Sequence, residues 1–535
     1  MKTMINSIIL ASCLALPLAS CSDSDAAPEQ KDWSTTTYFN SSDAAAQDTY
    51  YKPAVGYVGD PMPFFDPVAG DFKVLYLQDF RPNPEGTYHP IWGVSTKDAA
   101  HYTALGELVS CGTLKSQDAA IGTGSTIYDE ASKLYYTFYT GNKYKPTGDE
   151  SAQVVMVATS ADFKTWTKDR TFLLKGQDFG YDKNDFRDPF VFKGDDGKFH
   201  MLISTKKGGK GSLAEFVSDD LKNWTDNGVF MTMMWDRFYE CPDLFKMGDY
   251  WYLVYSEIHH AVRRVQYFKG RTLDELKACT ANDVARWPDA HEGFLDSRGL
   301  YAGKTASDGT NRYLWGWCPT RSGKDNTAVG ASPAEPEWAG NLVCYKLIQH
   351  EDGTLTLGQV DAVSEKYNQD VAVEVKESQN MTEADGTYTL AGSVEQPDAY
   401  MLMGRLGSHN KISFTVTTSN EWDKFGISMV RGSDSKKYYT MVVNPENENN
   451  RKVNFEEQGV EGKGFIAGID GYVFARPADN VYNITIYTDN SICVMYINDV
   501  CSYTNRIYGI QKNCWSINSY NGANVKISNL KISQY

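Results

Sequence analysis

Apolar residues between about residues 50 and 350 come in runs of four to seven, and Gly- or Asp-containing turns separate one run from the next. Runs of this length, bounded by turn residues and rich in aromatic and β-branched side chains, are typical of β-strands. The same spacing continues beyond residue 386, where apolar and polar positions alternate more regularly. The pattern therefore predicts an all-β chain.

One unit recurs five times in the first part of the chain: a polar or acidic start, an apolar strand, a turn and an aromatic strand. The equivalent positions are taken as Asp60, Gly124, Asp188, Glu240 and Asp296, at steps of 64, 64, 52 and 56 residues. Short strands repeated at such a period are typical of propeller blades. We predict a five-bladed β-propeller over residues 46–357; a β-sandwich with coincidental spacing is the alternative, which five in-phase copies disfavour.

The pattern changes after the fifth unit. Residues 358–385 are predicted to be a connector, partly helical between Asp361 and Lys376. Residues 386–535 contain short alternating stretches separated by turns such as Asp385-Gly386 and Asn521-Gly522. Alternation of this kind is typical of a strand with one face buried, so a C-terminal antiparallel β-sandwich is predicted.

The first 20 residues are predicted to be a signal peptide. Lys2 supplies a positive charge, and the mainly apolar stretch from Ser7 to Ser20 is shorter than the roughly 20 residues needed to span a bilayer. It ends in Leu18-Ala19-Ser20-Cys21, which resembles a bacterial lipoprotein box, with Cys21 as the lipidated residue. A polar tether over residues 21–45 follows. We expect an exported chain attached to a bacterial membrane only through this lipid, while a plain cleaved signal peptide is the alternative.

The composition narrows the classes of ligand that the chain is expected to bind. The 535 residues contain 52 Lys and Arg against 68 Asp and Glu, a net charge of −16, which argues against nucleic acid as a partner. Apart from Cys13 and Cys21 there are eight cysteines, with no CxxC motif and no histidine cluster beside them, so neither a metal nor a cofactor is predicted. Neutral ligands such as sugars remain open.

Candidate chemistry comes from the repeat itself. The innermost strand of each blade lines the central channel of a propeller, so Asp60, Asp188 and Glu240 are expected to meet in one pocket. Carboxylates packed together repel one another, which raises the pKa of at least one and provides the pair of protonated and ionised acids that glycoside hydrolysis requires. Arg187 is expected to keep Asp188 ionised and to bind sugar hydroxyls. A single Asp-Pro is more often a turn, and Asp243 and Asp296 are expected to be structural.

The motifs around these acids resemble glycoside hydrolase family 32, the retaining fructan hydrolases and invertases. The family's Arg-Asp-Pro and Glu-Cys motifs match residues 187–189 and 240–244, and its fifth-blade and terminal sandwich motifs match residues 301–302, 316–317 and 501–510. Residues 124–125 stand where the family has Phe-Ser-Gly-Ser. The resemblance covers nearly the whole chain after the signal and implies a propeller followed by a sandwich.

The resemblance also implies residue roles. Asp60 corresponds to the nucleophile, Glu240 to the general acid/base and Asp188 to the transition-state stabiliser. The implied reaction is cleavage of β-fructofuranosidic bonds in levan, inulin or sucrose, with an oligo- or polysaccharide as the partner. Cys241 is expected to be a small buried residue beside the acid. Five residues are candidate sugar contacts: Gln78, Trp92, Ser125, Arg187 and Trp317.

Two departures from the family lie beside the acids. The family's opening motif is usually Trp-Met-Asn-Asp-Pro-Asn-Gly, whereas residues 57–63 read Tyr-Val-Gly-Asp-Pro-Met-Pro, and Gly122 lies near the place of the family's Phe. These changes predict a reshaped pocket for the terminal sugar. Two alternatives stay open: an inverting arabinan or xylan hydrolase similar to family 43, and a non-catalytic glycan-binding lipoprotein on a hydrolase scaffold.

Overall fold

A computed structural model describes residues 49–80, 88–233, 238–257, 264–279, 293–320, 338–431, 438–445, 452–458, 472–511 and 513–535. The predicted signal peptide, the tether over 21–45 and Cys21 lie outside the described residues. Within these ranges no helix is long and apolar enough to cross a membrane. The eight described cysteines are all free thiols.

Five antiparallel blades form the first domain, as predicted. Blade I contains β1 (Tyr57–Asp66), β2 (Asp71–Asp79), β3 (Ile91–Thr96) and β4 (Thr103–Val109). Blade II contains β5 (Ala120–Asp129), β6 (Leu134–Asn142), β7 (Gln153–Ser160) and β8 (Thr167–Leu174). Blade III contains β9 (Phe186–Lys193), β10 (Phe199–Lys207), β11 (Lys210–Ser218) and β12 (Thr225–Thr232), after a short 3-10 turn at Gly176–Phe179.

Blade IV contains β13 (Glu240–Met247), β14 (Tyr250–Glu257) and β15 (Arg264–Gly270), followed by helix α1 (Leu273–Ala278). Blade V contains β16 (Tyr301–Ser307), β17 (Arg312–Pro319), β18 (Gly340–Gln349) and β19 (Leu355–Gly358). Strand β18 also pairs with β1, at Val58 and Gly340, and this contact joins the last blade to the first. The ring is therefore closed by backbone pairing between residues that are far apart in sequence.

The innermost strand of every blade carries a β-bulge, and in blades I, III and IV the bulge falls at the acid-bearing motif. Pairing skips a residue or two after Gly59, Gly122, Arg187, Glu240 and Tyr301. The backbone φ is positive at four bulged residues: Asp60 (21°), Asp188 (58°), Cys241 (51°) and Ala302 (53°). A bulge re-aims side chains and is common beside active sites, which explains why successive residues here reach one pocket.

The strand register corrects the predicted set of equivalent residues in the five blades. Asp60 and Asp188 do occupy equivalent bulge positions, but their equivalent in blade IV is Cys241, and Glu240 stands one residue earlier, level with Arg187 and Tyr301. The fifth-blade equivalent is Ala302 rather than Asp296. In the sequence, the blades are aligned by matching their acidic residues. In the structure, equivalent residues are those at the same backbone position of the bulge.

Two facing sheets form the second domain. Strands of the first sheet are β20 (Gln369–Val371), β22 (Met381–Ala384), β23 (Thr387–Ala391), β25 (His409–Thr418), β30 (Val481–Asp489), β31 (Ile492–Ile497), β32 (Cys501–Arg506) and β34 (Asn524–Gln534). Strands of the second sheet are β21 (Val375–Gln379), β24 (Ala399–Arg405), β26 (Lys424–Met429), β27 (Tyr438–Asn444), β28 (Lys452–Gln458), β29 (Tyr472–Val473) and β33 (Cys514–Tyr520). Their apolar inner faces form a continuous core, as predicted for a sandwich.

The predicted connector is shorter than 358–385. Helix α2 (Asp361–Lys366) follows blade V, as expected, but Gln369–Val371 already pairs with β34 and the strands over 375–384 pair inside the two sheets. Their side chains are mostly exposed, so the alternation that marks a half-buried strand is weak there.

Buried polar groups hold the two domains together. Asp296 accepts hydrogen bonds from the backbone N–H of Thr504 (2.8 Å) and from the hydroxyls of Thr504 (2.8 Å) and Ser502 (2.9 Å). Arg506, 2% exposed, donates to the backbone oxygens of Pro319 (3.0 Å) and Cys318 (2.8 Å). The terminal sandwich motif therefore docks the sandwich on the propeller, and Asp296 is structural, as expected.

Candidate active site

The three predicted acids do line one pocket at the propeller axis. The pocket has a volume of about 280 Å³, and Asp60, Asp188 and Glu240 share its wall with Arg187 and Tyr301. Each acid comes from the innermost strand of a different blade. The convergence predicted from the repeat is therefore present in the structure.

Asp60 is held by two side-chain donors. Its Oδ1 accepts a hydrogen bond from Trp317 Nε1 (2.9 Å), and its Oδ2 accepts one from Thr123 Oγ1 (2.7 Å). Burial raises the pKa of Asp60 above its usual value, against these two hydrogen bonds, which lower it, and the nearby charge of Glu240 adds to the rise. The carboxylate is thus fixed in position by groups that favour its ionised form.

Asp188 is almost completely buried and bonds the backbone of blade IV. It is 4% exposed, and its Oδ2 accepts a hydrogen bond from the backbone N–H of Cys241 (2.9 Å). Burial raises the pKa of Asp188 to about 6; Arg187 and the Cys241 N–H oppose the rise, while the charges of Glu240 and Asp60 increase it. Like-charge repulsion in the pocket thus acts in the direction predicted from the sequence.

Glu240 is bound by a cation and a phenol. Its Oε1 accepts a hydrogen bond from Arg187 Nη2 (3.1 Å), and its Oε2 accepts one from the Tyr301 hydroxyl. Arg187 also donates to Asp185 Oδ1 (2.7 Å) and lies over the ring of Phe238. The guanidinium therefore pairs directly with the candidate acid/base, whereas the sequence argument had paired it with Asp188, on which it acts only through its charge.

One cross-strand pair of blade V supports the carboxylates of both Asp60 and Glu240. Tyr301 on β16 pairs with Trp317 on β17, and their rings lie 5.4 Å apart. The Tyr301 hydroxyl bonds Glu240 while the Trp317 indole bonds Asp60. Because both donors belong to one rigid β pair, the relative position of the two carboxylates is set by the sheet and not by a loop.

A second cation lies behind the acids. Lys304, 2% exposed, donates to the backbone oxygen of Gly124 (2.8 Å) and lies 5.3 Å from the ring of Phe190. Burial lowers its pKa, although the charges of Cys241, Asp243, Asp188 and Asp60 act to raise it. The sequence reasoning missed this residue, and its place two positions after the bulge of blade V is the signal that locates it.

Of the five predicted sugar contacts, only Arg187 lines the pocket. Gln78 is fully buried on β2, and its amide donates to the backbone oxygen of Val55 (2.6 Å). Trp92 belongs to β3, the third strand from the axis, and packs against Phe80. Ser125 bonds the backbone of Pro189 and Val191 across blades.

Trp317, the remaining candidate, is also completely buried, and its indole bonds Asp60 from behind the pocket wall. The structure thus places Gln78, Trp92 and Ser125 in packing and hydrogen bonds within and between blades, and Trp317 where it positions Asp60.

The pocket wall includes aromatic residues that the sequence reasoning did not single out. His89 stacks on Trp338 (ring centroids 4.1 Å apart), and Tyr88 contacts the edge of His89 (4.6 Å). All three residues line the pocket, and Tyr88 is 40% exposed. They come from the loop before β3 and from the residues just before β18, so a motif scan along the innermost strands could not find them.

A five-bladed propeller with three acids in one pocket, followed by a β-sandwich, is the architecture of a class of glycoside hydrolases. Residues 50–360 match the family model "Glycosyl hydrolases family 32 N-terminal domain", and residues 353–532 match "GH32, BT1760-like, C-terminal domain". The chain belongs to glycoside hydrolase family 32. This match favours family 32 over the family 43 alternative.

Individual relatives are distant. An Arabidopsis thaliana β-fructofuranosidase (insoluble isoenzyme CWINV2) is 25% identical over 320 residues, which cover 54% of this chain and 51% of the relative. A Vibrio alginolyticus sucrose-6-phosphate hydrolase is 27% identical over 220 residues, covering 39% and 41%. The chain spans about half the length, or less, of these curated relatives.

Solved structures agree in fold. Fructan 1-exohydrolase IIa from Cichorium intybus superposes with a TM-score of 0.67 at 15% identity, over 92% of this chain and 97% of that one. The superposition supports the order of propeller and sandwich and their relative placement.

Proposed function

We propose that the chain is a retaining glycoside hydrolase that cleaves β-fructofuranosidic bonds of levan, inulin or sucrose. The observation that carries the proposal is the joint support of Asp60 and Glu240 by one β pair at the floor of a sugar-sized pocket. The names of the relatives, which include β-fructofuranosidases, sucrose-6-phosphate hydrolases and a fructan 6-exohydrolase, agree with this choice of substrate.

The proposed chemistry is a double displacement. Glu240 protonates the leaving oxygen while Asp60 attacks the anomeric carbon, and the C–O bond to the leaving group breaks as the fructosyl–Asp60 ester forms. Glu240, now ionised, accepts a proton from water, and that water cleaves the ester to release fructose or a shorter chain. Asp188 binds ring hydroxyls more strongly as positive charge develops in the oxocarbenium-like state.

The test measures sugar release from levan, inulin, sucrose and arabinan by the wild type and by Asp60→Asn and Glu240→Gln. Asp129→Asn, at the outer end of β5, is the matched control. Both site variants are expected to lose about 10⁴-fold or more in kcat, and the first-formed product should keep the substrate's anomeric configuration by NMR. Unchanged activity in either variant refutes the site, inversion refutes the mechanism, and sugar binding without hydrolysis of any substrate supports a binding protein.

For its cellular location we propose a lipid anchor at Cys21. The sequence Leu18-Ala19-Ser20-Cys21, after an apolar stretch, supports export followed by lipidation at the new N-terminus. In cells fed an alkyne fatty acid, the full-length chain should become labelled. The Cys21→Ala variant should carry no label, whereas the control variant Cys111→Ala should be labelled like the wild type. Equal labelling of wild type and Cys21→Ala would contradict the anchor.

A further inference from the structure

Gly59, directly before the candidate nucleophile, has no room for a side chain because Trp338 occupies that space. A Cβ built on Gly59 lies 2.2 Å from Trp338 Cη2 and 2.7 Å from Cζ2, far inside the 3.0 Å that real Cβ atoms respect. A side chain at position 59 and the indole in its present place therefore exclude one another. At this position the family motif carries Asn.

Backbone pairing and ring stacking hold the indole there. Trp338 lies two residues before Gly340, whose pairing with Val58 closes the propeller, so the closure places Trp338 beside Gly59. His89 stacks on the indole with an interplanar angle of 24°, and Trp317 lies 6.1 Å away at 59°. The indole is therefore part of the pocket wall, next to the ring that bonds Asp60.

The remaining wall combines apolar side chains, among them Leu77 and Ile121, with polar ones. Gly122 leaves Asn142 open on blade II, and Asn142 Oδ1 accepts a hydrogen bond from Gln153 Nε2 (3.0 Å). Gln153 in turn accepts one from Arg187 Nη1 (3.3 Å). The pocket thus offers amide and guanidinium donors on these residues and an aromatic surface at Trp338.

We infer that Gly59 and Trp338 form a mutually exclusive pair that determines which sugar the pocket accepts, with the indole packing against the C–H face of the ring bound beside Asp60. An amide at position 59 would select a ring by a hydrogen bond to a hydroxyl, whereas the indole selects it by shape and apolar contact. The inference rests on the proposed function, because it assigns the reacting furanose ring to this wall. Its substrate class is a fructofuranoside whose C–H face packs on Trp338 where an amide at position 59 would have bonded a hydroxyl.

The test is a cycle of Gly59→Asn, Trp338→Ala and the double variant, with Trp422→Ala, a half-exposed tryptophan of the sandwich, as control. Thermal unfolding measures the steric exclusion. Fructose binding by calorimetry, in the Asp60→Asn background, measures recognition without turnover, and kcat and KM on levan, inulin and sucrose measure specificity.

Gly59→Asn made in the wild type should lower Tm by about 3 °C or more. The same substitution made in Trp338→Ala should lower Tm much less, because the indole no longer occupies the space. Trp338→Ala should weaken fructose binding and raise KM about tenfold with a smaller change in kcat. The double variant should change the ratio of kcat/KM among the three substrates, while Trp422→Ala should change none of these values.

Additive Tm values in the cycle, or fructose binding unchanged in Trp338→Ala, would overturn the inference. If the wild type hydrolyses none of the substrates, the proposed function fails, but the Tm cycle and the fructose titrations still decide whether the pair shapes a sugar site.

Discussion

Replacing Asp188 with Asn should stabilise the protein at neutral pH. The folded state raises the pKa of Asp188 from an unfolded value of 3.8 to about 6. A carboxyl with a raised pKa binds its proton more tightly when folded, so its contribution favours folding at low pH and is lost as pH rises through about 6. A shift of about two units, at about 1.4 kcal/mol per unit, corresponds to a cost of about 3 kcal/mol above that pH.

Asn at position 188 removes the carboxylate charge and keeps the hydrogen bond from Cys241. The side-chain oxygen of Asn can still accept the hydrogen bond from the Cys241 N–H, which is 2.9 Å from Asp188 Oδ2 in the wild type. We therefore expect Asp188→Asn to unfold at higher urea concentration than the wild type at about pH 7.5 and at a similar one at about pH 3.5. Activity should fall by orders of magnitude, because the neutral amide no longer stabilises the positive charge that develops in the transition state.

The assay is urea unfolding of wild type and variant at several pH values across this range. Asp243→Asn is a useful comparison, since burial also raises the pKa of Asp243, although it lies outside the pocket and bonds the Thr305 N–H. Equal midpoints for wild type and Asp188→Asn at about pH 7.5, or a difference that does not shrink as pH falls, would refute the reasoning.

Three further outcomes are expected. Thr123→Val removes the hydroxyl bonded to Asp60 and should raise the pKa of that carboxyl further, moving the acidic limb of the kcat/KM profile to higher pH. Arg187→Lys cannot bond Asp185 and Glu240 as the guanidinium fork does and should lower kcat/KM about 10- to 100-fold. Asp296→Ala leaves its interdomain donors unpaired and should split thermal unfolding into two transitions.

The first two of these predictions have a matched control variant. Thr126→Val removes a buried hydroxyl of the same strand that bonds Thr137 and should leave the pH profile in place. Lys206→Arg keeps the charge beside Asp185 and should retain activity. An unshifted acidic limb, full activity of Arg187→Lys or a single transition in Asp296→Ala would contradict the respective argument.

The sequence was sufficient for the elements whose signals are local. Short apolar runs with turn residues between them predict strands, and an acid followed by proline marks the bulge of blades I and III. The acids could be assigned to one pocket because a propeller brings the same position of each blade to the axis. Which residues of the blades are equivalent could not be predicted, because Glu240 precedes its bulge whereas Asp60 and Asp188 lie in theirs.

The candidate sugar contacts lie mostly away from the pocket, and the reason is geometric. Trp92 was selected by residue type, yet it belongs to the third strand of its blade and so lies away from the axis. Ser125 is on an innermost strand, but it lies beyond the bulge, where its hydroxyl joins two blades. Residue type identifies groups that can bind a sugar; the distance of the strand from the axis decides which of them meet one.

The pocket wall around Asp60 depends on contacts that no local pattern contains. Trp338 reaches Gly59 only because β18 pairs with β1, and His89 reaches Trp338 from another loop. A missing side chain at Gly59 reads in the sequence as a lost binding group, but in the folded chain an indole from about 280 residues away fills the same space. A departure from a family motif therefore cannot be judged position by position, since the compensating residue is supplied by the closure of the ring.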